Sequence, residues 1–503
     1  MAYINAQGRL KGCKPIAVID IGSNSVRLVI YEGLVRLPTV LFNEKVLCGL
    51  GQGVAKTGFL EEKSIKIALR TLKRFRVLCQ QIGADEVYIL ATAAAREAKN
   101  GLAFIRDAEN ILQKKIHLLS GTEEAIYSAY GVISTFYQPK GISGDLGGGS
   151  LELIDIDNAD VGKGITLPLG GLWLRSMSNN DIAMAAKIAH EQFYKSAVVY
   201  KGMARYFYAV GGTWRNLAKL HMATKHYQLP VMHGYEVDAI EMENFLHLVA
   251  SGNIDSMKGI LAVSQNRRQL LSYGAIVLIE LIQCIGFEKI IFSGAGVREG
   301  FLYSQLPQEI RNSDPLIAAC TEMAILRARS PKQAEELIGF TTNAFEVFGI
   351  SETENECRYR KAACLLADIG WRIHPDYRGN EAAHQIALGS YSGISHEGRI
   401  YVALAVFFRN TSSLIDEESL AIFRLATKNI IEKARILGEI MRIAHLFSAS
   451  TAGILPHLSW HKKTDHVVLH IPRRYADLLG ERPLGRLKKL SKIIKLPLAF
   501  EIF

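Results

Sequence analysis

Apolar residues occur at two different spacings along the amino-terminal part of the chain. At residues 61–82 they recur at helical spacing, which is typical of an amphipathic helix. Short apolar runs such as Ile16–Ile19 and Glu86–Ala91 predict buried strands. The same patterns predict strands at Ile116–Leu119, Tyr206–Val210 and Lys289–Ser293, and helices beginning at Arg96, spanning Gly121–Ile133 and spanning 180–200. Strands that alternate with helices predict an α/β fold, which gives way to a mostly helical pattern beyond about residue 305.

Two segments of the α/β part resemble each other. The first reads DIGSNSVRLVI at 20–30 and the second reads DLGGGSLELID at 145–155. In each segment an aspartate is followed by a glycine two positions on, a serine five positions on and a leucine eight positions on. Each has a strand-like run before it and apolar residues after it, so both predict a β-hairpin with a glycine-containing turn at its tip.

Such a turn has a chemical use. Glycine has no Cβ, so the backbone N–H groups of the turn can approach a ligand closely. A serine or asparagine in the turn adds another donor, and an aspartate at the strand end supplies an oxygen that suits Mg²⁺. Either copy alone could be an ordinary turn. Their duplication favours two hairpins that face each other and hold a phosphate chain with its metal ion.

Length and charge limit the classes of protein. A chain of 503 residues is too long for one hydrophobic core, so we expect two to four domains. The net charge of +10 and the isoelectric point of about 9.1 favour an anionic partner. That partner could be nucleic acid, an acidic membrane surface or a polyanionic substrate.

Cysteine placement and hydropathy predict a cytoplasmic protein. The seven cysteines are scattered and form no CxxC pair, which favours a reducing compartment. Residues 1–20 contain no apolar core of signal-peptide length, and no run of about 18 apolar residues lacks a charge. We therefore expect neither a signal peptide nor a transmembrane segment.

Six motifs occur in the order found in a known family. They are DIGSNSVRLVI at 20–30, ATAAAREAKNG at 91–101, SGTEEA at 120–125, GDLGGGSLEL at 144–153, VGGTWRNLA at 210–218 and FSGAGVREG at 292–300. In these motifs the chain resembles the exopolyphosphatase and guanosine pentaphosphate phosphatase family of the actin-like ATPase superfamily, most closely a long-form exopolyphosphatase. The resemblance covers residues 16–303.

The resemblance implies a fold and an assembly. We expect two duplicated actin-like ATPase (ribonuclease H-like) domains at 1–132 and 133–304. A mostly helical HD-like domain at 305–445 and a small α+β domain at 446–503 would follow. Members of this family also lead us to expect a homodimer.

The resemblance also assigns the reacting groups. Glu124 matches the family's catalytic base, which takes a proton from the water that attacks the terminal phosphorus. A carboxylate at a helix start, next to Glu123, can have its pKa tuned for that task, although both glutamates could simply favour the first helical turn. Asp145, Glu152 and Asp20 match the positions that hold a divalent cation such as Mg²⁺. Arg96 matches an arginine beside the substrate, or is a solvated arginine at a helix start.

The remaining matched positions would bind phosphate groups. In the two hairpin turns these are Asn24, Ser25, Gly148, Gly149 and Ser150. The loop Gly211-Gly212-Thr213 matches the one that holds adenosine in nucleotide-using relatives, and here we expect Gly212 and Thr213 to bind phosphates farther along the chain. We find no GxxxxGK[ST] and no HExxH sequence that would indicate other chemistry.

Two features of the carboxyl-terminal half bear on function. HD hydrolases bind metal through histidines and a His-Asp pair, but Ala367 precedes Asp368 here, and the chain has no histidine between His247 and His374. We therefore expect no second hydrolytic metal site. The segment 462–495 is strongly basic, so Lys488 and Lys489 are candidates for a track that binds long polyphosphate. A solvated helix face and an RNA-binding surface are alternatives.

Several functions fit these motifs. The first is an exopolyphosphatase that releases orthophosphate from inorganic polyphosphate. The second, with the same catalytic residues, is removal of the 5′ γ-phosphate from guanosine pentaphosphate. A third, from another class, is an actin-like nucleotide-dependent switch, which would not need Glu124. A nucleic-acid-binding protein is disfavoured because no RRM, KH or zinc-finger signature is present.

Overall fold

The computed structural model describes residues 10–196, 200–202, 204–411 and 421–503. The chain divides into two compact units, Lys11–Ser313 and Asp314–Phe503. Each unit has its own secondary structure.

The first half of the amino-terminal unit is a five-stranded sheet with helices. Its strands are β1 (Ile16–Ile21), β2 (Ser25–Tyr31), β3 (Val40–Leu47), β4 (Glu86–Ala91) and β5 (His117–Leu118). Its helices are α1 (Val54–Thr57), α2 (Glu62–Ile82), α3 (Ala93–Glu97), α4 (Gly101–Leu112) and α5 (Gly121–Thr135). The strand order is β3-β2-β1-β4-β5, in which β1 to β3 form an antiparallel meander and β4 and β5 run parallel to β1. The central strand β1 is apolar and almost fully buried because both faces of the sheet are covered.

The second half repeats the plan around a larger sheet. Its strands are β6 (Lys140–Leu146), β7 (Leu151–Asp157), β8 (Asp160–Val161), β9 (Ile165–Leu167), β10 (Tyr206–Val210), β11 (Tyr235–Asp238) and β12 (Lys289–Phe292). Its helices are α6 (Gly171–Met177), α7 (Ile182–Ser196), α8 (Gly212–Thr224), α9 (Ala239–Ser251), α10 (Gln265–Arg268), α11 (Leu271–Ile285), α12 (Val297–Ser304) and α13 (Gln308–Arg311). The strand order is β11-β12-β10-β6-β7-β8, and β9 pairs with β7. Strands β6, β10 and β12 are parallel, as expected where helices separate them.

Helices α5 and α12 pack against each other at glycines. A Cβ atom added to Gly300 would collide with the backbone carbonyl of Tyr127 and would lie 2.5 Å from the backbone nitrogen of Gly131. Side chains larger than hydrogen at Gly300 would therefore force the two helices apart.

One stretch of the described chain has the length and composition of a membrane span. It is Gln265–Ile285, with a mean hydropathy of 1.3 over its most apolar window, and 67% of that window is buried. Because the core helix of a soluble protein has the same properties, this stretch is only weak evidence for a membrane span.

The carboxyl-terminal unit is mostly helical. Its helices are α14 (Pro315–Arg327), α15 (Pro331–Phe348), α16 (Glu354–Leu365), α17 (Arg378–Leu388), α18 (His396–Asn410), α19 (Lys428–Ser448) and α20 (Glu481–Ile494). A small sheet of β13 (Ser459–Lys462), β14 (Val467–Ile471) and β15 (Leu498–Ile502) completes it. Helix α14 begins after Asp314, whose side chain caps the backbone N–H groups of Leu316 and Ile317.

Asp368 lies between helices α16 and α17 and is bound by arginines. Arg329 donates to both of its carboxylate oxygens, at 2.7 Å and 2.6 Å, and Arg409 donates at 3.3 Å. These bonds lower the pKa of Asp368 against the opposing effect of burial. Asp368 therefore joins helix ends through ion pairs. The histidines of this unit nearest in sequence to Asp368 have different surroundings: His374 and His384 are exposed, and His396 is buried.

Most predicted elements are confirmed. Strands β4 and β10 have the predicted bounds, and α2 and α5 begin within one residue of the predictions. The predicted helix at 180–200 is observed as Ile182–Ser196, and residues 197–199 lie outside the described part. The predicted helix start at Arg96 is wrong: Arg96 lies in the last turn of the short helix α3, and the next helix begins at Gly101.

Candidate active site

The two similar segments form matching hairpins. In the first, β1 and β2 pair antiparallel, and the N–H of Gly22 donates to the carbonyl of Ser25 at 3.0 Å. In the second, β6 and β7 pair antiparallel, and the N–H of Gly147 donates to the carbonyl of Ser150 at 3.0 Å. The predicted hairpins are thus confirmed, and their turns share one hydrogen-bonding pattern.

The tips of the two hairpins approach each other closely. A Cβ atom at Gly148 would lie 3.0 Å from the Cβ of Ser23, and one at Gly149 would lie 3.8 Å from the Oγ of Ser23. A carbon–carbon contact of 3.0 Å would require the neighbouring tip to shift by a few tenths of an ångström, so glycine at position 148 favours this approach.

A single cleft runs between the hairpins. It is lined by all seven residues that were predicted in this unit to bind phosphate, namely Asn24, Ser25, Gly148, Gly149, Ser150, Gly212 and Thr213. It is also lined by the four predicted acidic residues, Asp20, Glu124, Asp145 and Glu152. The structure thus brings together polar turns and carboxylates that are distant in the sequence.

The two neighbouring glutamates of α5 have different surroundings. Ser120 caps α5 by accepting a hydrogen bond from the N–H of Glu123, and the Glu123 carboxylate accepts one from the Ser120 N–H at 2.8 Å. This reciprocal capping box occupies Glu123 at the helix start. Glu124, one position further along, is only 8% exposed and lines the cleft. The helix-start interpretation therefore fits Glu123, and Glu124 faces the candidate site.

Glu124 has an altered proton affinity. Burial raises its pKa to about 7, and the negative charges of Asp145 and Asp20 act in the same direction. Arg96 opposes this rise, since its Nη1 donates to Glu124 Oε2 at 2.5 Å. The same Nη1 donates to the carbonyl of Leu119 at 2.6 Å, which holds the guanidinium beside the helix start. A carboxylate with a pKa near neutrality is suited to accept a proton from water.

Asp145 and Glu152 face each other across the second hairpin. They are register partners in β6 and β7. Burial raises the pKa of Asp145, and the charge of Asp20 adds to the rise. Burial also raises the pKa of Glu152 well above its usual range, and the charge of Glu124 adds to it. These acids share a poorly solvated space in which their negative charges repel one another.

The acidic groups fit a hard divalent cation that is bound together with substrate. Glu152 Oε1 is buried and has no hydrogen-bond partner among the described residues. Throughout the described ranges, however, no three acidic, histidine or cysteine side chains are close enough to hold an ion by themselves. Mg²⁺ usually takes one or two carboxylates and completes its coordination with water and phosphate oxygens. The donor set therefore fits Mg²⁺ in the presence of a phosphate substrate.

Asp20 has a partner that the sequence did not predict. Arg298, at the start of α12, donates from Nη1 to Asp20 Oδ2 at 2.9 Å. Both side chains are partly buried and line the cleft. Since Arg298 occupies one oxygen, Asp20 is less available for direct metal coordination than Asp145 and Glu152.

Five cations line the same cleft and were not predicted. They are Arg27, Lys45, Arg215, Arg267 and Arg298. Burial lowers the pKa of Lys45 to about 7, and the charges of Arg267 and Arg27 act in the same direction. Neighbouring positive charges that lower one another's pKa values favour the binding of an anionic ligand.

Strand register could have revealed two of these cations. Arg27 of β2 lies opposite Asp20 of β1 on one side and opposite Lys45 of β3 on the other. Side chains that are opposite one another lie on the same face of a sheet. An aspartate assigned to the cleft therefore implies that Arg27 and Lys45 face it too. Arg215 and Arg298 lie within quoted motifs but had no assigned role.

The two remaining predicted site residues lie in the carboxyl-terminal unit. Lys488 and Lys489 are neighbours on α20, where Lys488 is exposed. Lys489 Nζ lies 2.5 Å from a carboxylate oxygen of Glu439, whose side chain is only 2% exposed. Arg486 lies 3.5 Å from the same carboxylate. Lys489 thus fixes α20 to α19, whereas Lys488 is an exposed residue.

The duplicated sheets and the facing hairpins, with an acidic cleft between them, define a protein of the α/β class. Residues 15–309 match the sequence profile of the Ppx/GppA phosphatase family, and residues 316–500 match a profile described as exopolyphosphatase, C-terminal. The chain belongs to the Ppx/GppA phosphatase family.

Individual relatives agree with this assignment. The chain is 27% identical over 440 residues to Retrograde regulation protein 2 of Saccharomyces cerevisiae, covering 80% of this chain and 73% of that protein. The crystal structure of the Aquifex aeolicus Ppx/GppA family member aligns with a TM-score of 0.50 and 25% identity, over 58% of this chain and 97% of that one. An exopolyphosphatase from Cytophaga hutchinsonii aligns with a TM-score of 0.52 and 22% identity, over 58% and 97% of the two chains, and shares the fold.

Proposed function

We propose that this protein is an exopolyphosphatase that hydrolyses terminal phosphates from inorganic polyphosphate. The observation that carries the proposal is the position of Glu124. This buried carboxyl, with a pKa raised to about 7, lines a cleft between two glycine-containing turns and several cations. Family membership supports phosphatase chemistry, and the cleft supports a phosphate-chain substrate.

In the proposed reaction Glu124 acts as the general base. It accepts a proton from the water that attacks the terminal phosphorus, and the bond from that phosphorus to the bridging oxygen breaks. Arg96 keeps the Glu124 carboxylate oriented through its 2.5 Å contact and adds positive charge near the developing negative charge. Positioning and electrostatic stabilisation supply most of the catalysis in phosphoryl transfer, so few protein groups are needed.

Substrate binding is assigned to the turns and the cations. The N–H and hydroxyl groups of the two turns, from Asn24 and Ser25 and from Gly148 to Ser150, bind the terminal phosphates. Gly212 and Thr213, at the start of α8, bind phosphates farther along, where the helix start favours anions. The five cleft cations offset the repulsion within a polyanion.

A divalent cation completes the proposed site. Asp145 and Glu152 would hold Mg²⁺ together with substrate oxygens, and Asp20 would contribute through water while it is bound to Arg298. When bound, the ion neutralises charge on the phosphate oxygens.

Other features of the proposal concern the molecule as a whole. We propose the domain limits 1–132, 133–304, 305–445 and 446–503, with an HD-like third domain, and a homodimer. Seven free cysteines suit a reducing compartment such as the cytoplasm. On α20 we retain Lys488 as a contact for long polyphosphate. Lys489 contacts polyphosphate only when its ammonium group is released from the ion pair with Glu439.

Two other functions have specific support. Guanosine pentaphosphate hydrolysis would use the same catalytic residues, and the family name includes it. A regulatory role is the other alternative, because the chain is 27% identical to Retrograde regulation protein 2.

Phosphate release by the purified full-length chain separates these functions. Long polyphosphate, tripolyphosphate, guanosine pentaphosphate and ATP are compared with Mg²⁺ present. We expect the highest kcat/KM on long polyphosphate, and Lys488→Glu should weaken long-chain more than short-chain binding. A preference for guanosine pentaphosphate would replace the proposed substrate. Binding without phosphate release from any of the four would support the regulatory function.

A further inference from the structure

A second cavity lies in the first sheet and its helices, apart from the cleft. It occupies about 390 Å³ between the carboxyl-terminal parts of α2 and α4, above β1 and β4. The cleft between the hairpins is lined by different residues, so the two cavities are separate. Cavities of this size with an apolar lining and a few polar groups typically bind small molecules.

The floor of the cavity is apolar. Its accessible apolar surface comes from Val87 of β4, which is half-buried, and from Cys79 of α2 and Leu112 of α4, which are 4% and 6% exposed. These side chains offer almost no hydrogen bonds to water, so water gains little by filling the space. The floor therefore favours an apolar body and disfavours a phosphate chain, which needs donors along its length.

The rim of the cavity carries two positioned cations. Arg76 Nη1 donates to the carbonyl of Ile111 at 2.9 Å, and Lys114 Nζ donates to the carbonyl of Asp85 at 3.2 Å. A neutral carbonyl holds a cation in place without neutralising it, and each side chain keeps further N–H donors. In the described part of the chain neither cation is within ion-pair distance of a carboxylate. The Asp85 side chain adds one negative charge to the rim, which leaves it net positive.

We propose that this cavity binds a small carboxylate with an apolar body, of which a medium-chain fatty acid is the simplest example. The apolar part lies on the floor formed by Val87, Cys79 and Leu112, and the carboxylate meets Arg76 and Lys114 at the rim. Charge-assisted hydrogen bonds to arginine and lysine fix the orientation of the ligand. The site is separate from the proposed catalytic cleft, so it does not depend on the proposed function.

Calorimetric titration of the full-length protein with octanoate tests the proposal. Octanol and octylamine serve as probes with the same apolar body and different head groups. We expect octanoate to bind the wild type at least about tenfold more tightly than octanol, and octylamine to bind most weakly. An excess of tripolyphosphate should leave octanoate binding unchanged. Failure of octanoate to bind, or equal binding of octylamine, would overturn the proposal.

Two variants and a control locate the site. Cys79→Leu fills the cavity from α2 and should abolish binding while the protein remains folded, since leucine favours helices. Arg76→Gln removes a rim cation and should weaken octanoate binding about tenfold without affecting octanol. Arg70→Gln alters another exposed arginine of α2 outside the cavity and should change nothing. Wild-type affinity in Arg76→Gln would contradict the proposal even if Cys79→Leu failed to fold.

Discussion

Lys488 and Lys489 are adjacent, similar in sequence context and different in their surroundings. Lys489 Nζ lies 2.5 Å from the Glu439 carboxylate, which is 2% exposed, whereas Lys488 is exposed. We predict that Lys489→Ala destabilises the attachment of α20 to α19, because it leaves a buried carboxylate with only Arg486, at 3.5 Å. Lys488→Ala should have little effect.

The magnitude follows from the exposure of the partners. Removing one partner of a fully buried ion pair costs about 3–5 kcal/mol. Lys489 is 39% exposed and Arg486 remains, so screening by solvent reduces the expected loss to about 1–3 kcal/mol. Lys488→Ala should stay within about 0.5 kcal/mol of the wild type.

Hydrogen exchange of the backbone amides in α19 and α20 is the suitable assay. A chain with two units does not unfold in one two-state transition, but local exchange reports the opening of these helices alone. The expected loss corresponds to exchange about 5- to 150-fold faster in Lys489→Ala. Adding Glu439→Gln should restore part of the protection, because no unpaired buried charge remains. Equal effects of the two lysine variants would refute the reasoning.

Three further predictions concern the amino-terminal unit. Burial raises the pKa of Glu124 to about 7, and only the deprotonated carboxylate can accept a proton from water. The rate of phosphate release should therefore increase as the pH rises through about 7. A rate that is flat between about pH 6 and 8 would contradict this prediction. In Arg96→Gln this rise in activity should occur at higher pH, because the cation that lowers the pKa of Glu124 is lost. Chelation of divalent cations should abolish phosphate release reversibly, and Asp145→Asn should weaken the response to added Mg²⁺; activity that survives chelation would exclude the metal. Gly300→Ala should destabilise the packing of α5 on α12 by about 1–3 kcal/mol, because its Cβ collides with Tyr127. Hydrogen exchange in these two helices should then be faster, and unchanged exchange would contradict their close packing.

The sequence contained enough local information to predict the hairpins and most helices. The duplicated spacing of aspartate, glycine, serine and leucine fixed both turns, and the apolar spacing of 61–82 matched α2 to within one residue. Arg96 was misplaced because its alanine-rich surroundings favour helix on both sides, whereas the backbone breaks after Glu97 before Gly101 begins α4.

Long-range partners could not be predicted in the same way. The ion pair of Asp20 with Arg298 joins residues far apart in sequence, and the pair of Glu439 with Lys489 depends on how α20 packs against α19. The basic composition of 462–495 gave no means of separating Lys489 from Lys488. Their difference arises from burial, which is a property of the folded unit.

The central claim is that Glu124 activates the attacking water. Its neighbour Glu123 provides a matched control, because it carries the same group in the capping box of the same helix. Phosphate release from long polyphosphate should fall about 10²- to 10⁴-fold in kcat for Glu124→Gln, with polyphosphate binding retained, and should stay near the wild-type rate for Glu123→Gln. Full turnover by Glu124→Gln, or an equal loss in both variants, would contradict the claim.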